Sequence, residues 1–75
     1  MLDLEDNLVN VIRKLHLAYT TDAAEYVRIA AEEARQHNDD DVSYFRGRAD
    51  GLFRARSTLE LELEKAGIRD ILKGE

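Results

Sequence analysis

Between residues 42 and 66 the apolar residues recur in alternating steps of three and four: Val42, Phe45, Ala49, Leu52, Leu59, Leu63 and Ala66. One basic residue, Arg56, occupies the missing place in the stripe. That spacing is helical, and a seam of this kind is half of an interface that needs a second helix against it. The chain contains no proline and four glycines, so few residues interrupt long helices. With 44% hydrophobic and 36% charged residues it is too apolar for a disordered segment, and it lacks the frequent turn signals of an all-β chain. The spacing and composition together predict an all-α fold in one domain spanning residues 1–75.

The partner helix lies upstream. From residue 3 to residue 38 a stripe runs Leu4, Leu8, Ile12, Leu15, Tyr19, Ala23, Tyr26, Ala30, Ala34 and His37. Its steps average about 3.67 residues, close to the period of a straight helix. Asp3, Glu5 and Asp6 stand where carboxylates meet the positive end of the helix dipole. An alternative breaks this helix near Thr20–Asp22, with Asp22 and Glu25 as a capping box, and yields a monomeric three-helix bundle. Continuous register through the site, with neither glycine nor proline there, favours one helix.

A turn is expected at 38–41. Asn38 can adopt the left-handed conformation that ends a helix, and one of Asp39, Asp40 or Asp41 then caps the next. The second helix is expected over 42–66, ended by Gly67 with Ile68 returning to Leu63 in a Schellman arrangement. A short apolar turn, 68–73, would cover the open end near Leu8 and Ile12. Arg46 with Asp50, Asp50 with Arg54, and Arg56 with Glu60 have the spacing of ion pairs along the exposed side. Folding the helices antiparallel about 38–41 makes facing residue numbers sum to about 79, which sets Asp22 opposite Arg56.

Two groups of residues stand out as candidate binding sites. The first is a polar layer at mid-length: Tyr19, Asp22, Tyr26 and Arg56, with Glu60 nearby. An arginine fork beside aromatic rings can hold a carboxylate, phosphate or nucleobase. The plainer reading is a buried ion pair that fixes helix register. The second is a small-residue flank: Tyr44, Gly47, Arg48, Gly51, Ala55 and Thr58. Glycine inside a helix costs up to about 1 kcal/mol against alanine, so two call for a reason. Close approach of another helix supplies one, and a groove for a partner supplies another.

Other chemistries lack their residues. The chain has no cysteine, glycine-rich phosphate loop, paired histidines or serine–base arrangement, so no enzyme, cofactor or metal is expected. The three aspartates of the turn lack an EF-hand pattern. Glu33, His37 and Asp41 would give a metal too few ligands, and His16 stands alone as a surface or boundary residue. A net charge of −5 and arginines pointing around the helix argue against nucleic acid.

The apolar surface of the first helix is wider than one seam. Val11, Ala18 and Ile29 extend it on one side, and Val9, Val27 and Ala31 on the other. Two hairpins packed as a four-helix bundle would bury it, so a homodimer is expected. No apolar run reaches membrane-spanning length, the N-terminal segment is acidic, and the absence of cysteine suits a cytoplasmic protein. The function expected is a non-enzymatic protein–protein interaction module, a regulator, adaptor or inhibitor of the style encoded by phages and mobile elements. A helical-bundle sensor of a small anionic ligand or nucleotide is the alternative, and a nucleic-acid-binding or nucleic-acid-mimicking dimer is the third reading.

Overall fold

The computed structural model describes residues 4–73, which contain helices and no strand. Helix α1 spans Leu4–Arg35, helix α2 spans Asp39–Lys65, and a 3-10 turn follows over Arg69–Lys73. The two long helices form an antiparallel hairpin measuring 51 × 27 × 17 Å. The helix expected to begin at Asp3 has that residue outside the described range. α1 runs unbroken through Thr20–Asp22, so the chain is a hairpin and not a three-helix bundle. No helix of the described residues is long and apolar enough to cross a membrane.

Both helix ends are closed by the same backbone device. At the end of α1 the His37 amide donates to the Ala34 carbonyl at 3.1 Å, and Asn38 donates to Glu33 at 3.0 Å. At the end of α2, Gly67 donates to Glu64 at 3.0 Å and Ile68 to Leu63 at 2.9 Å. These are Schellman motifs, and each needs a left-handed residue at its corner. Gly67 supplies it at φ 75°, as the sequence predicts. At the first turn the left-handed residue is His37, at φ 61°, instead of Asn38.

The turn is therefore tighter and earlier than 38–41. Only Gln36, His37 and Asn38 lie between the helices. Asn38 takes the N-cap position of α2 without a side-chain cap bond, and Asp39, Asp40 and Asp41 lie within the first helical turn. There their charges meet the positive pole of the helix dipole. The Asn38 side-chain amide instead donates to the Glu33 carboxylate at 2.7 Å. Moving the turn moves the register. The pairs His16–Glu60 and Tyr26–Arg48 bridge the helices, so facing numbers sum to about 75, one helical turn from the expected ladder.

The α2 seam lies where its spacing places it. Val42, Phe45, Leu52, Arg56 and Leu59 are half-buried, Ala49 and Leu63 buried, and only Ala66 at its end is exposed. The α1 seam differs from the 3.67-residue stripe. Val9, Ile12, His16, Tyr19, Ala23, Tyr26, Ala30 and Glu33 face α2, in strict steps of three and four. Leu8, Leu15, Ala34 and His37 lie outside it, exposed. Two helices that stay in contact over this length must share a 3.5-residue repeat, so a stripe of straight-helix period drifts off the interface.

Among the described residues the buried hydrophobics are Ala23, Ala30, Ala49 and Leu63. Three alanines and one leucine make a thin core. At the open end the 3-10 turn closes over it: the Arg13 guanidinium donates to the Ile71 carbonyl, and Ile68 and Ile71 line a 370 Å³ cleft with Leu8, Val9 and Ile12.

Candidate functional site

On one face of the hairpin, α1 and α2 bring together residues that the sequence places in separate groups. Asp22 and Tyr26 of α1 and Gly47, Arg48, Gly51 and Leu52 of α2 line an open groove of about 410 Å³. The Arg48 guanidinium stands 5.5 Å from the Tyr26 ring centre and 6.0 Å from that of Tyr44. Its Nη2 donates to the Tyr26 hydroxyl at 3.4 Å, which raises the Arg48 pKa further above its ordinary value. Phe45, half-buried in the seam, supports both tyrosines: it stacks on Tyr26 at 6.0 Å and meets Tyr44 edge-on at 5.1 Å. The sequence cause is simple. Tyr44, Phe45 and Arg48 fall within one turn of α2, so a single seam residue anchors an aromatic and cationic cluster that projects outward.

The glycines form the floor of this groove. A Cβ built on Gly47 or Gly51 would meet nothing within 4 Å. Close packing inside the hairpin is therefore not what keeps these positions small. Ala55, farther along the same flank, is half-buried, and Thr58 is exposed.

The mid-length polar layer is not assembled as the sequence suggests. Asp22 is exposed at the rim of the groove and makes no ion pair with Arg56. Tyr19 is half-buried in the seam, at the level the register gives Arg56. Arg56 instead lies 3.9 Å from Glu60 on its own helix and 5.3 Å from the Phe53 ring centre. Its Nε is buried without a hydrogen-bond partner.

Glu60 is the centre of the polar cluster that does form. His16 Nε2 donates to its carboxylate at 2.7 Å, with Arg56 and, at 4.0 Å, Arg69 nearby. The His16 hydrogen bond, and then the charges of His16, Arg56 and Arg69, hold the Glu60 carboxyl below its ordinary value of 4.5, against partial burial. His16 is thus a boundary residue, half-buried at the seam, but it is not alone. Its signal is its place in the repeat of Val9, His16, Ala23 and Ala30, whose first two members the straight-helix stripe steps over. Of the three ion pairs expected along α2, Arg56–Glu60 alone forms among the described residues. Exposed pairs instead join Glu25 to Arg28, Glu32 to Arg35 and Glu62 to Lys65 at three-residue spacing.

No family model, curated protein or solved structure matches this chain. The site must therefore be read on its own chemistry. Its groove is shallow and carries both signs of charge, Arg48 and Asp22. A small anion drawn to Arg48 would meet the Asp22 carboxylate on the opposite rim.

Proposed function

We propose that the protein is a non-enzymatic interaction module: a helical hairpin that pairs with a second copy and grips another protein through the Tyr26–Tyr44–Arg48 face. The observation that carries the proposal is Tyr44, 58% exposed and held between Phe45 and the Arg48 guanidinium. Tyrosine and arginine dominate the energetics of protein interfaces because each offers a large flat contact and directional polar groups. Phe45 fixes one of these groups from below, which lowers the entropy lost on binding. The glycine floor beside them leaves room for a partner's apolar side chain, while Arg48 and Asp22 recognise opposite charges on either side of it. This composition suits an adaptor or inhibitor that docks on a folded surface.

Self-association supplies the second half of the reading. The accessible surface is 5806 Å², against about 4,700 Å² for a compact chain of this mass. The excess of about 1,100 Å² exceeds the 800 Å² or so that each partner buries in a standard interface.

Affinity capture with the immobilised chain from its native host supplies the candidate partner, and calorimetry with purified components then tests the face. Arg48→Ala and Tyr44→Ala are each expected to weaken binding by about tenfold or more. Gly51→Ala is expected to weaken it too, while raising helix stability by about 0.5–1 kcal/mol. Variants that bind like the wild type would remove this face from the interface. A nucleotide or phosphorylated metabolite that raises the melting temperature through Arg48 would replace the protein partner with a small ligand.

A further inference from the structure

A second stripe runs along α1 beside the seam, at Leu17, Thr20, Ala24, Val27, Ala31 and Ala34, again in steps of three and four. It lies on the side of the hairpin away from the Tyr–Arg groove. Leu17 is 64% exposed, the most exposed large apolar side chain among the described residues. Fourteen residues on, at the same place in the repeat, Ala31 borders a groove of about 450 Å³ between the helices, with Val27, Ala34, Val42 and Ala49 in its apolar walls and Arg46 and Asp50 also lining it. One stripe thus carries a protruding knob and a hollow, about 21 Å apart.

We infer that this stripe is the self-association surface, closed by a two-fold axis at Ala24 that seats Leu17 of each copy in the groove beside the partner's Ala31. The inference rests on the self-association half of the reading above. A two-fold interface must be self-complementary, each residue meeting the one whose place it would take in the other copy. Ala24 is midway between Leu17 and Ala31, so the axis satisfies that condition with no free parameter. A small side chain at the crossing lets the helix axes approach to the short end of the usual 8–10 Å range.

Charge selects the antiparallel arrangement. Asp39, Asp40 and Asp41 are exposed at the turn. A parallel pair would set two such turns side by side, where like charges repel. The antiparallel pair instead sets each turn near the Lys14 level of the other copy, and Lys14 makes no ion pair within the described hairpin. The Tyr26–Tyr44–Arg48 groove stays open on the outside of the resulting bundle, once per copy.

The chain has no cysteine, so single cysteines report contacts directly. Ala24→Cys in the full chain is expected to oxidise to a disulfide-linked dimer, since the axis brings the two thiols together. Val11→Cys, on the opposite flank, is expected to stay monomeric on a denaturing gel. Light scattering of the unmodified chain is expected to give twice 8.6 kDa. Leu17→Asp should raise the dimer dissociation constant by about tenfold or more, because it places a charge in an apolar contact, with helical circular dichroism retained. A dimer that cross-links through Val11→Cys and not Ala24→Cys overturns the assignment of the face and leaves self-association standing. A monomer at every concentration overturns both, and leaves the Tyr–Arg groove to be judged by its own variants.

Discussion

Near the turn the helices meet through alanines, with Ala30 on α1 and Ala49 on α2 both buried and the Tyr26–Phe45 stack closing the layer. Toward the open end the same seam carries His16, Arg56 and Glu60, then Leu63 under the 3-10 turn. The alanine half has small side chains on one repeat, and its polar groups, the Glu33 carboxylate and the Tyr26 hydroxyl, are met by Asn38 and Arg48, so it fixes how closely the backbones approach. The polar half fixes which residues face each other, because a hydrogen bond such as His16–Glu60 is lost if either helix slides by a turn. Backbone approach is thus set near the turn, and register toward the open end, of one seam.

Leu63→Ala tests the division most severely. Leu63 is the one large hydrophobic side chain buried among the described residues, 6% exposed, and its truncation should cost about 2–4 kcal/mol, read as a shift in the urea midpoint. A loss below about 1 kcal/mol would mean that the open end is not packed and that the alanine half carries the fold alone.

Arg56→Met asks whether the polar half stabilises at all. The Arg56 Nε is buried without a partner, and such a donor costs about 1–3 kcal/mol where it is fully enclosed. The side chain is 32% exposed, which reduces that figure, so a gain of up to about 1–2 kcal/mol is expected in the same urea measurement. A loss of similar size would show that the Arg56–Glu60 contact outweighs the orphaned donor. The polar half would then supply stability as well as register.

How much of this was legible in the sequence follows from where the governing physics is local. The α2 seam and its Gly67 cap are set by residues within one or two turns of each other, and the spacing names them correctly. The α1 seam depends on staying in contact with α2. That condition tightens the repeat and brings in His16 and Glu33 in place of Leu15 and Ala34. The register hinged on a turn of three residues with His37 left-handed, where glycine or asparagine would be the ordinary signal. A shift of one helical turn there exchanges His16–Glu60 for Asp22–Arg56. At the groove, Tyr44, Gly47, Arg48 and Gly51 were readable as one flank of α2, but their meeting with Asp22 and Tyr26 required the fold.

His37→Gly probes the turn that joins the two helices. A non-glycine residue at φ 61° carries a steric cost between its Cβ and the backbone, which glycine lacks. The substitution keeps both Schellman bonds and should stabilise the hairpin by about 0.5–1 kcal/mol, net of the added freedom of the unfolded chain. A rise in melting temperature with unchanged helical circular dichroism is the expected observation. A loss would mean that the His37 side chain contributes a contact of its own to the turn.

The smallest effect belongs to the open end and appears in acid. The Glu60 carboxyl is held below 4.5 chiefly by the His16 hydrogen bond, so the unfolded chain takes up its proton before the folded one does. The stability this provides is complete above the ordinary carboxylate value and declines as pH falls through the folded value. Glu60→Gln keeps an oxygen acceptor for His16 and removes the charge. The gap in urea midpoint between wild type and variant should therefore be wide near neutral pH and narrow at an acid pH below the folded Glu60 value, where the carboxyl is itself protonated. The alanine half has no part in this titration, so Ala49→Gly should lower the midpoint by the same amount at both pH values. A Glu60→Gln gap that ignores pH would place the carboxylate's contribution in shape alone, and would make the two halves of the seam more alike than their residues suggest.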